Sequence, residues 1–350
     1  MNATQSETLV DVRHLKKHFP IHKGFFKRRV GSVKAVDDVS FAIYRGETLG
    51  LVGESGCGKT TLGRCLLRAV EPTAGDVRFL KEDGNVVDVL RLPKQQLRDL
   101  RRDMQMIFQD PFSSLNPRMT VKDLVGEPLF VNGIAKGRHL EELVIDMIEK
   151  VGLRPQYMDR YPHAFSGGQR QRIAIARALS LNPSFVVCDE AVSALDVSIQ
   201  AQIINLLEEL QDTLDLTYLF ISHDLSVVKH ITDRIAVMYL GRIVEMGTTD
   251  DIFERPYHPY TEALLSSVPR TDGDGRGPRI LLQGEVPNPS HPPQGCHFHP
   301  RCRFAQAVCR EESPALQVLQ QAHGDKRLAA CHFAEQLELE GILESDELTM

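Results

Sequence analysis

The stretch "ETLGLVGESGCGKTTLGRCL", residues 47–66, decides the architecture of most of this chain. It opens on an apolar run short enough for a buried strand, breaks into a glycine-rich turn and resumes with helical spacing. Gly53, Gly58, Lys59 and Thr60 fit the pattern G-x-x-x-x-G-K-[ST], in the strand–turn–helix context that the pattern needs. Glycines let the backbone curl around phosphate oxygens with no Cβ in the way. Lys59 has the reach for β- and γ-phosphates, and the Thr60 hydroxyl can ligate Mg²⁺. Glu54, Ser55, Gly56, Cys57 and Thr61 complete a loop expected to hold a nucleoside triphosphate.

Outward from this loop, strands are expected at "VDDVSFAI" (36–43), "MQMIFQ" (104–109), "SFVVCDE" (184–190), "TYLFISH" (217–223) and "RIAVMYL" (234–240). Helices are expected at 58–70 and near 197–214. Strand and helix alternating around buried apolar strands imply a mostly parallel α/β sheet. From about 120 to 182 the pattern turns helical, which marks an inserted subdomain. Residues 270–295 are rich in Gly and Pro and read as a linker to a cysteine-bearing tail. Neither glycine motif has a second copy.

Asp189 and Glu190 end an apolar strand, and ligands of open α/β sheets bind beyond the carboxyl ends of strands. There Asp189 can hold hydrated Mg²⁺, while Glu190 can orient or deprotonate the attacking water. His223, at the tip of the next strand, reads as a γ-phosphate contact; Gln109 reads as a partner of Mg²⁺ or the water. A second anion cradle lies in "FSGGQRQRIAIARAL" (165–179), where Ser166, Gly167, Gly168 and Gln169 open a helix. Two such cradles on one chain do not easily converge on a single triphosphate. Two chains paired head to tail would let the cradle of one close over the nucleotide of the other.

The 350 residues carry a net charge of −6, which gives no global pull toward nucleic acid or an anionic membrane. Lys27, Arg28 and Arg29 read as a solvated loop. No apolar run approaches the ~20 residues needed to span a bilayer, and "MNATQSETLVDV" has no signal-peptide core. A cytoplasmic location is expected, with any membrane role coming through partners. Of seven cysteines, Cys57, Cys65 and Cys188 are scattered, whereas Cys296, Cys302, Cys309 and Cys331 cluster late in the chain. In a reducing compartment such a cluster hints at a metal site. Its spacing, C-x₅-C-x₆-C-x₂₁-C, matches neither the common zinc pattern nor the ferredoxin runs.

Taken in order, these motifs resemble the ATP-binding subunit of an ABC transporter over about residues 1–265. The resemblance implies a P-loop NTPase with a RecA-like, mostly parallel core and an antiparallel β subdomain. It also implies an inserted helical subdomain at about 110–182, a linker at 266–295 and a Cys-rich C-terminal extension at 296–350. Phe19 would stack on adenine, and Gln109 would form the glutamine lid. Ser166, Gly167, Gly168 and Gln169 match the signature that binds the γ-phosphate of a partner's ATP. Asp196, in "SALD" (193–196), matches the loop that communicates across the dimer, and His223 the switch histidine. Thr60, Gln109 and Asp189 would hold Mg²⁺. Phe165 stands where the family usually has Leu, and its expected role is packing.

Residues 15–64 and "FQDPFSSLNPRMTV" (108–121) narrow the resemblance to the second ATPase subunit of dipeptide and oligopeptide importers. That implies ATP-driven peptide import at the cytoplasmic face of the cell inner membrane. The implied partners are a second, paralogous ATPase, two transmembrane permease subunits and an extracytoplasmic peptide-binding protein, with no nucleic acid. The tail resembles the C-terminal extension of the same importers, which implies an iron–sulfur cluster of the 4Fe-4S type on Cys296, Cys302, Cys309 and Cys331 in preference to zinc, although thiolate-only ligation suits either. Import of nickel or another small solute by the same architecture is the alternative within transport. A soluble ABC ATPase acting on DNA or ribosomes is a second, against which stand the lack of tandem cassettes and the acidic balance. A scaffold that binds ATP without hydrolysing it is a third, opposed by Glu190 and His223.

Overall fold

The computed structural model describes residues 7–24, 28–268, 280–319 and 327–342. Lys27, the chain start and the middle of the linker (269–279) lie outside the described residues. The chain divides into two units. The first comprises Met1–Val10, Ala42–Thr48 and Arg78–Ser222; the second comprises Asp11–Phe41, Leu49–Val77 and His223–Met350.

The second unit holds most of two long strands, β1 (Thr8–Lys23) and β2 (Arg28–Tyr44). They are followed by β3 (Thr48–Val52), helix α1 (Lys59–Leu66) and β4 (Ala74–Leu80). β1 lies between β2 and β4. Helix α1 is shorter than the expected 58–70. Arg68 turns left-handed at φ 47°, and the amides of Ala69 and Val70 fold back onto the Arg64 carbonyl.

The first unit contains β5 (Val86–Asp88), α2 (Lys94–Leu100), β6 (Met104–Ile107) and α3 (Pro111–Ser114). It continues with α4 (Val121–Val131), α5 (Gly137–Lys150), α6 (Gly167–Leu179), β7 (Phe185–Asp189), α7 (Val197–Leu214) and β8 (Thr217–Ile221). β6, β7 and β8 run parallel, with Met104 opposite Phe185 and Asp189 opposite Ile221. Every residue of β7 and β8 is buried, as expected of strands covered on both faces. α4 starts at a capping box of Thr120 and Asp123 and packs on α5 and α6.

The rest of the second unit begins with α8 (Leu225–Ile231), β9 (Arg234–Tyr239) and β10 (Arg242–Thr248). Then come α9 (Thr249–Glu254), α10 (Pro259–Leu265), α11 (Ala307–Glu311), β11 (Gln317–Val318) and β12 (Leu328–Ala329). β9 is parallel to β3 and antiparallel to β10, and the tail strands continue outward in the order β10, β12, β11. A buried ion pair holds the tail. Arg327 donates to Glu245 at 3.2 Å and also to the Arg255 carbonyl. Glu245 accepts further bonds from the amides of Tyr257 and His258, at 2.7 and 2.9 Å. Burial still raises its carboxyl pKa above the ordinary value.

Candidate nucleotide site

In the second unit, the loop after β3 takes the shape that its glycines allow. Gly53 has φ 148°, and a Cβ there would run into the Met238 carbonyl oxygen; Gly58, at φ 114°, would likewise meet the Ala35 carbonyl. Both positions therefore exclude a side chain by conformation and by space. Lys59 begins α1 and is buried, with Nζ donating to the Gly53 carbonyl at 2.7 Å and the Glu54 carbonyl at 3.2 Å. Its ammonium thus lies along the loop. Thr60 and Thr61 follow on the first turn of α1. Burial pushes the Cys57 thiol up, which suits packing rather than nucleophilic chemistry.

Glu54 is held twice. Its amide donates to the Tyr260 hydroxyl at 2.7 Å, and its carboxylate accepts two bonds from Arg301. Ser55 and Gly56 form the turn of the loop, with Gly56 at φ 80°. Phe19, on β1, is 38% exposed, and Lys17 Nζ sits 4.6 Å from its ring centre. His223 is exposed and directly precedes Asp224, which caps α8 by accepting from the Ser226 amide.

In the first unit, Asp189 is the last residue of β7 and is buried. Glu190 follows with φ 49°, a left-handed conformation that costs a non-glycine residue on the order of 1–3 kcal/mol. Its amide donates to the Ile221 carbonyl at 3.0 Å, and its own carbonyl accepts from the Ser193 amide and hydroxyl. These bonds hold the strained turn and aim the carboxylate. Gln109 Nε2 then donates to Glu190 Oε2 at 2.6 Å, across 81 residues of sequence. Two side chains assigned separately from sequence are thereby brought into direct contact. A carboxylate fixed at the carboxyl end of a parallel strand can accept a proton from a bound water.

The second cradle also lies in the first unit. Ser166 Oγ accepts from the Gln169 amide at 3.4 Å, and Gln169 Oε1 accepts from the Ser166 amide at 3.1 Å, closing a capping box on α6. Gly167 and Gly168 form the first turn of that helix, and a Cβ on Gly168 would press into the Ile199 side chain. Phe165 is buried and meets the Tyr157 ring edge-on at 5.6 Å, so it packs as expected. Asp196 caps α7 by accepting from the Ile199 amide at 3.0 Å.

The expectation of a 4Fe-4S cluster is corrected. Among the described residues, no group of three or more His, Cys, Asp or Glu side chains is arranged to hold a metal ion. Cys296, Cys302, Cys309 and Cys331 do line one cavity, but its volume is about 20 Å³ and its other walls include Phe298, Phe304 and Phe333. That is room for about one water, not for an inorganic cluster. Burial pushes the Cys302 thiol up to about 11 and Cys331 to about 12, and it raises Cys296 as well. In the metal-free chain, apolar surroundings of this kind keep these thiols protonated. Cys309 is buried, and Cys331 packs as a small apolar residue against Tyr257, Leu319, Ala329 and Ala334.

Comparison with known proteins fits this geometry. The ABC transporter family matches residues 36–193, and the oligopeptide/dipeptide transporter C-terminal region matches residues 244–309. The oligopeptide transport ATP-binding protein AppF of Bacillus subtilis is 51% identical over 336 residues, covering 95% of this chain and 99% of AppF. The chain belongs to the ATP-binding subunits of ABC transporters. Among these, the ATPase is also 49% identical to the di/tripeptide transport ATP-binding protein DppF of Pseudomonas aeruginosa, over 94% of this chain and 99% of that one. The ADP- and phosphate-bound dimeric ATP-binding cassette MJ0796 matches with a TM-score of 0.59 and 26% identity, covering 69% of this chain and 99% of that one. The ABC ATPase therefore has the P-loop, RecA-like fold of its family, and it hydrolyses ATP. No helix among its described residues is long and apolar enough to cross a membrane.

Sequence reasoning missed Arg301, Tyr260 and Tyr239. Arg301 stands 247 residues from Glu54 in a stretch read only for its cysteines. The one available signal was an arginine placed among apolar and aromatic residues, which on burial requires an acidic partner.

Proposed function

We propose that this ABC ATPase powers import of dipeptides and oligopeptides across the cytoplasmic membrane. The observation that carries the chemistry is the Gln109–Glu190 contact at the end of β7, beside Asp189. The peptide-transporter C-terminal match and the AppF and DppF relatives support the cargo class. Phe19 stacks on adenine, residues 53–61 wrap the phosphates, and Lys59 neutralises their charge. A hydroxyl, an amide and a carboxylate suit a hard cation, so Thr60, Gln109 and Asp189 would hold Mg²⁺, which would supply positive charge against the triphosphate. Glu190 takes the proton of the attacking water, and His223 contacts the γ-phosphate.

Ser166, Gly167, Gly168 and Gln169 serve the ATP of a paralogous second ATPase, and Asp196 lies in the loop that faces it. ATP then joins the two subunits, and hydrolysis lets them separate. Two permease subunits carry this motion to the cargo, an extracytoplasmic binding protein delivers it, and the ATPase sits peripherally on the cytoplasmic face of the inner membrane. Residues 1–265 form the nucleotide-binding domain, with its helical part at about 110–182, and residues 296–350 form the peptide-importer extension beyond a linker at 266–295. The test is purification from membranes followed by reconstitution in liposomes. Co-purification of two membrane-spanning subunits and another ATPase, with ATP turnover raised by a peptide-loaded binding protein, is the expected result. Turnover raised by nickel-loaded but not peptide-loaded binding protein overturns the cargo assignment.

A further inference from the structure

The C-terminal extension reaches the phosphate loop through one side chain. Arg301 ends a short helical turn, His299–Arg301, immediately before Cys302. Its Nη1 donates to Glu54 Oε2 at 2.7 Å, and its Nη2 donates to Glu54 Oε1 at 3.0 Å. Nη1 also reaches the Tyr239 hydroxyl at 3.5 Å. The Arg301 side chain is only 7% exposed, and that of Glu54 is 26% exposed. Two parallel bonds fix direction and plane as well as distance, which a point charge does not.

Glu54 is the second residue of the loop, so what holds Glu54 holds the loop. The Tyr260 hydroxyl fixes its amide, and Arg301 fixes its carboxylate. Its carbonyl accepts from Lys59 Nζ at 3.2 Å and from the Cys57 amide at 3.2 Å. A continuous chain of hydrogen bonds therefore runs from Arg301, through the side chain and backbone of Glu54, to Lys59. The far end of the chain is equally firm. Phe298, three residues before Arg301, is buried against the rings of Tyr239, Tyr260 and His258, with centres 5.3 to 5.6 Å apart.

We propose that Arg301 is a positioning residue for nucleotide binding, setting through Glu54 the loop shape that presents Lys59. The C-terminal extension is then a working part of the nucleotide site. This rests on the reading of residues 53–60 as the phosphate loop. It also distinguishes positioning from simple charge. If Arg301 only masked the negative charge of Glu54, Glu54→Gln would tighten ATP binding. If the pair shapes the loop, Glu54→Gln and Arg301→Gln both weaken it.

The test uses the full chain, with trinitrophenyl-ATP titration for Kd, phosphate release for kcat and KM, and thermal melting for the fold. Arg301→Gln and Glu54→Gln are each expected to raise Kd and KM about three- to tenfold, with kcat changed less than about twofold. The double variant is expected to be no weaker than the weaker single one, because both lose the same contact. Arg301→Lys is expected to recover part of the affinity. A role limited to docking the tail would lower the melting temperature and leave Kd unchanged. Wild-type Kd in Arg301→Gln, tighter binding in Glu54→Gln or additive losses in the double variant would overturn the proposal. Should Arg301→Gln melt below the assay temperature, Arg301→Lys decides: a raised KM at unchanged kcat supports positioning, and a wild-type KM refutes it. Lys59→Ala separates the two readings, since wild-type binding by that variant would sink the phosphate loop itself, whatever Arg301 does.

Discussion

Replacing Glu190 by glutamine removes a base and little else. Glutamine has the same size, and its amide oxygen can still accept the 2.6 Å bond from Gln109. The backbone at φ 49° is equally strained for either residue, so the turn after β7 keeps its shape. What disappears is the capacity to take a proton from water, which contributes roughly 10²–10⁴ in rate. That corresponds to about 2.7–5.5 kcal/mol of barrier. Steady-state phosphate release should therefore fall by that factor, while nucleotide affinity stays near the wild-type value. Glu190→Gly gives the complementary reading. Relief of the left-handed strain should stabilise the fold by about 1 kcal/mol, or roughly 2 °C in melting temperature, while hydrolysis is lost. Turnover by Glu190→Gln within about fivefold of wild type would refute the assignment of Glu190 as the base.

Other expectations concern the second cradle, the tail and acid stability. Ser166→Ala should lose only the cap on α6, about 1 kcal/mol in a melting experiment, whereas Ser166→Arg should bind ATP yet fail to associate on size-exclusion chromatography. ATP-driven association that survives Ser166→Arg would count against a shared site. Arg327→Met strips the cation from buried Glu245 and should cost about 3–5 kcal/mol by urea titration. Burial lowers the His258 pKa to about 3 from its ordinary 6.5, so the unfolded chain binds this proton first as pH falls. The stability it confers is present above about pH 6.5 and is lost on acidification toward 3, by up to about 1.4 kcal/mol per pH unit. His258→Asn, whose side chain can still accept the Tyr260 amide, should flatten that acid limb; an unchanged limb would mean that other groups govern it.

Much of the fold could be read locally because its signals are local. The apolar strands β3, β7 and β8 were expected because burial on both faces leaves no polar interruption, and the loop at 53–60 announces itself through glycines forced by φ. β1 escaped notice because His14, Lys16, Lys17 and His18 hide its alternation. β11 and β12 escaped because two-residue strands have no period and owe their existence to pairing with β10. In the site, Gln109 and Glu190 were each legible at strand ends, but their contact was not. The four tail cysteines misled for a physical reason. Clustering in sequence suits a ligand set and a sulfur-lined apolar core equally well, and only the volume between them tells the two apart.

The tail strand β12 has a consequence for any shortened version of this protein. It lies along β10, with Glu245 opposite Ala329 and Met246 opposite Leu328, and the Ala330 amide reaches the Val244 carbonyl at 2.8 Å. A chain cut before residue 296 would leave these main-chain groups bare on a ribbon margin lined by apolar side chains. Such a margin is a template on which foreign or sibling strands assemble. Clumping of a truncated cassette would then report a lost shield, together with a buried Glu245 left without Arg327.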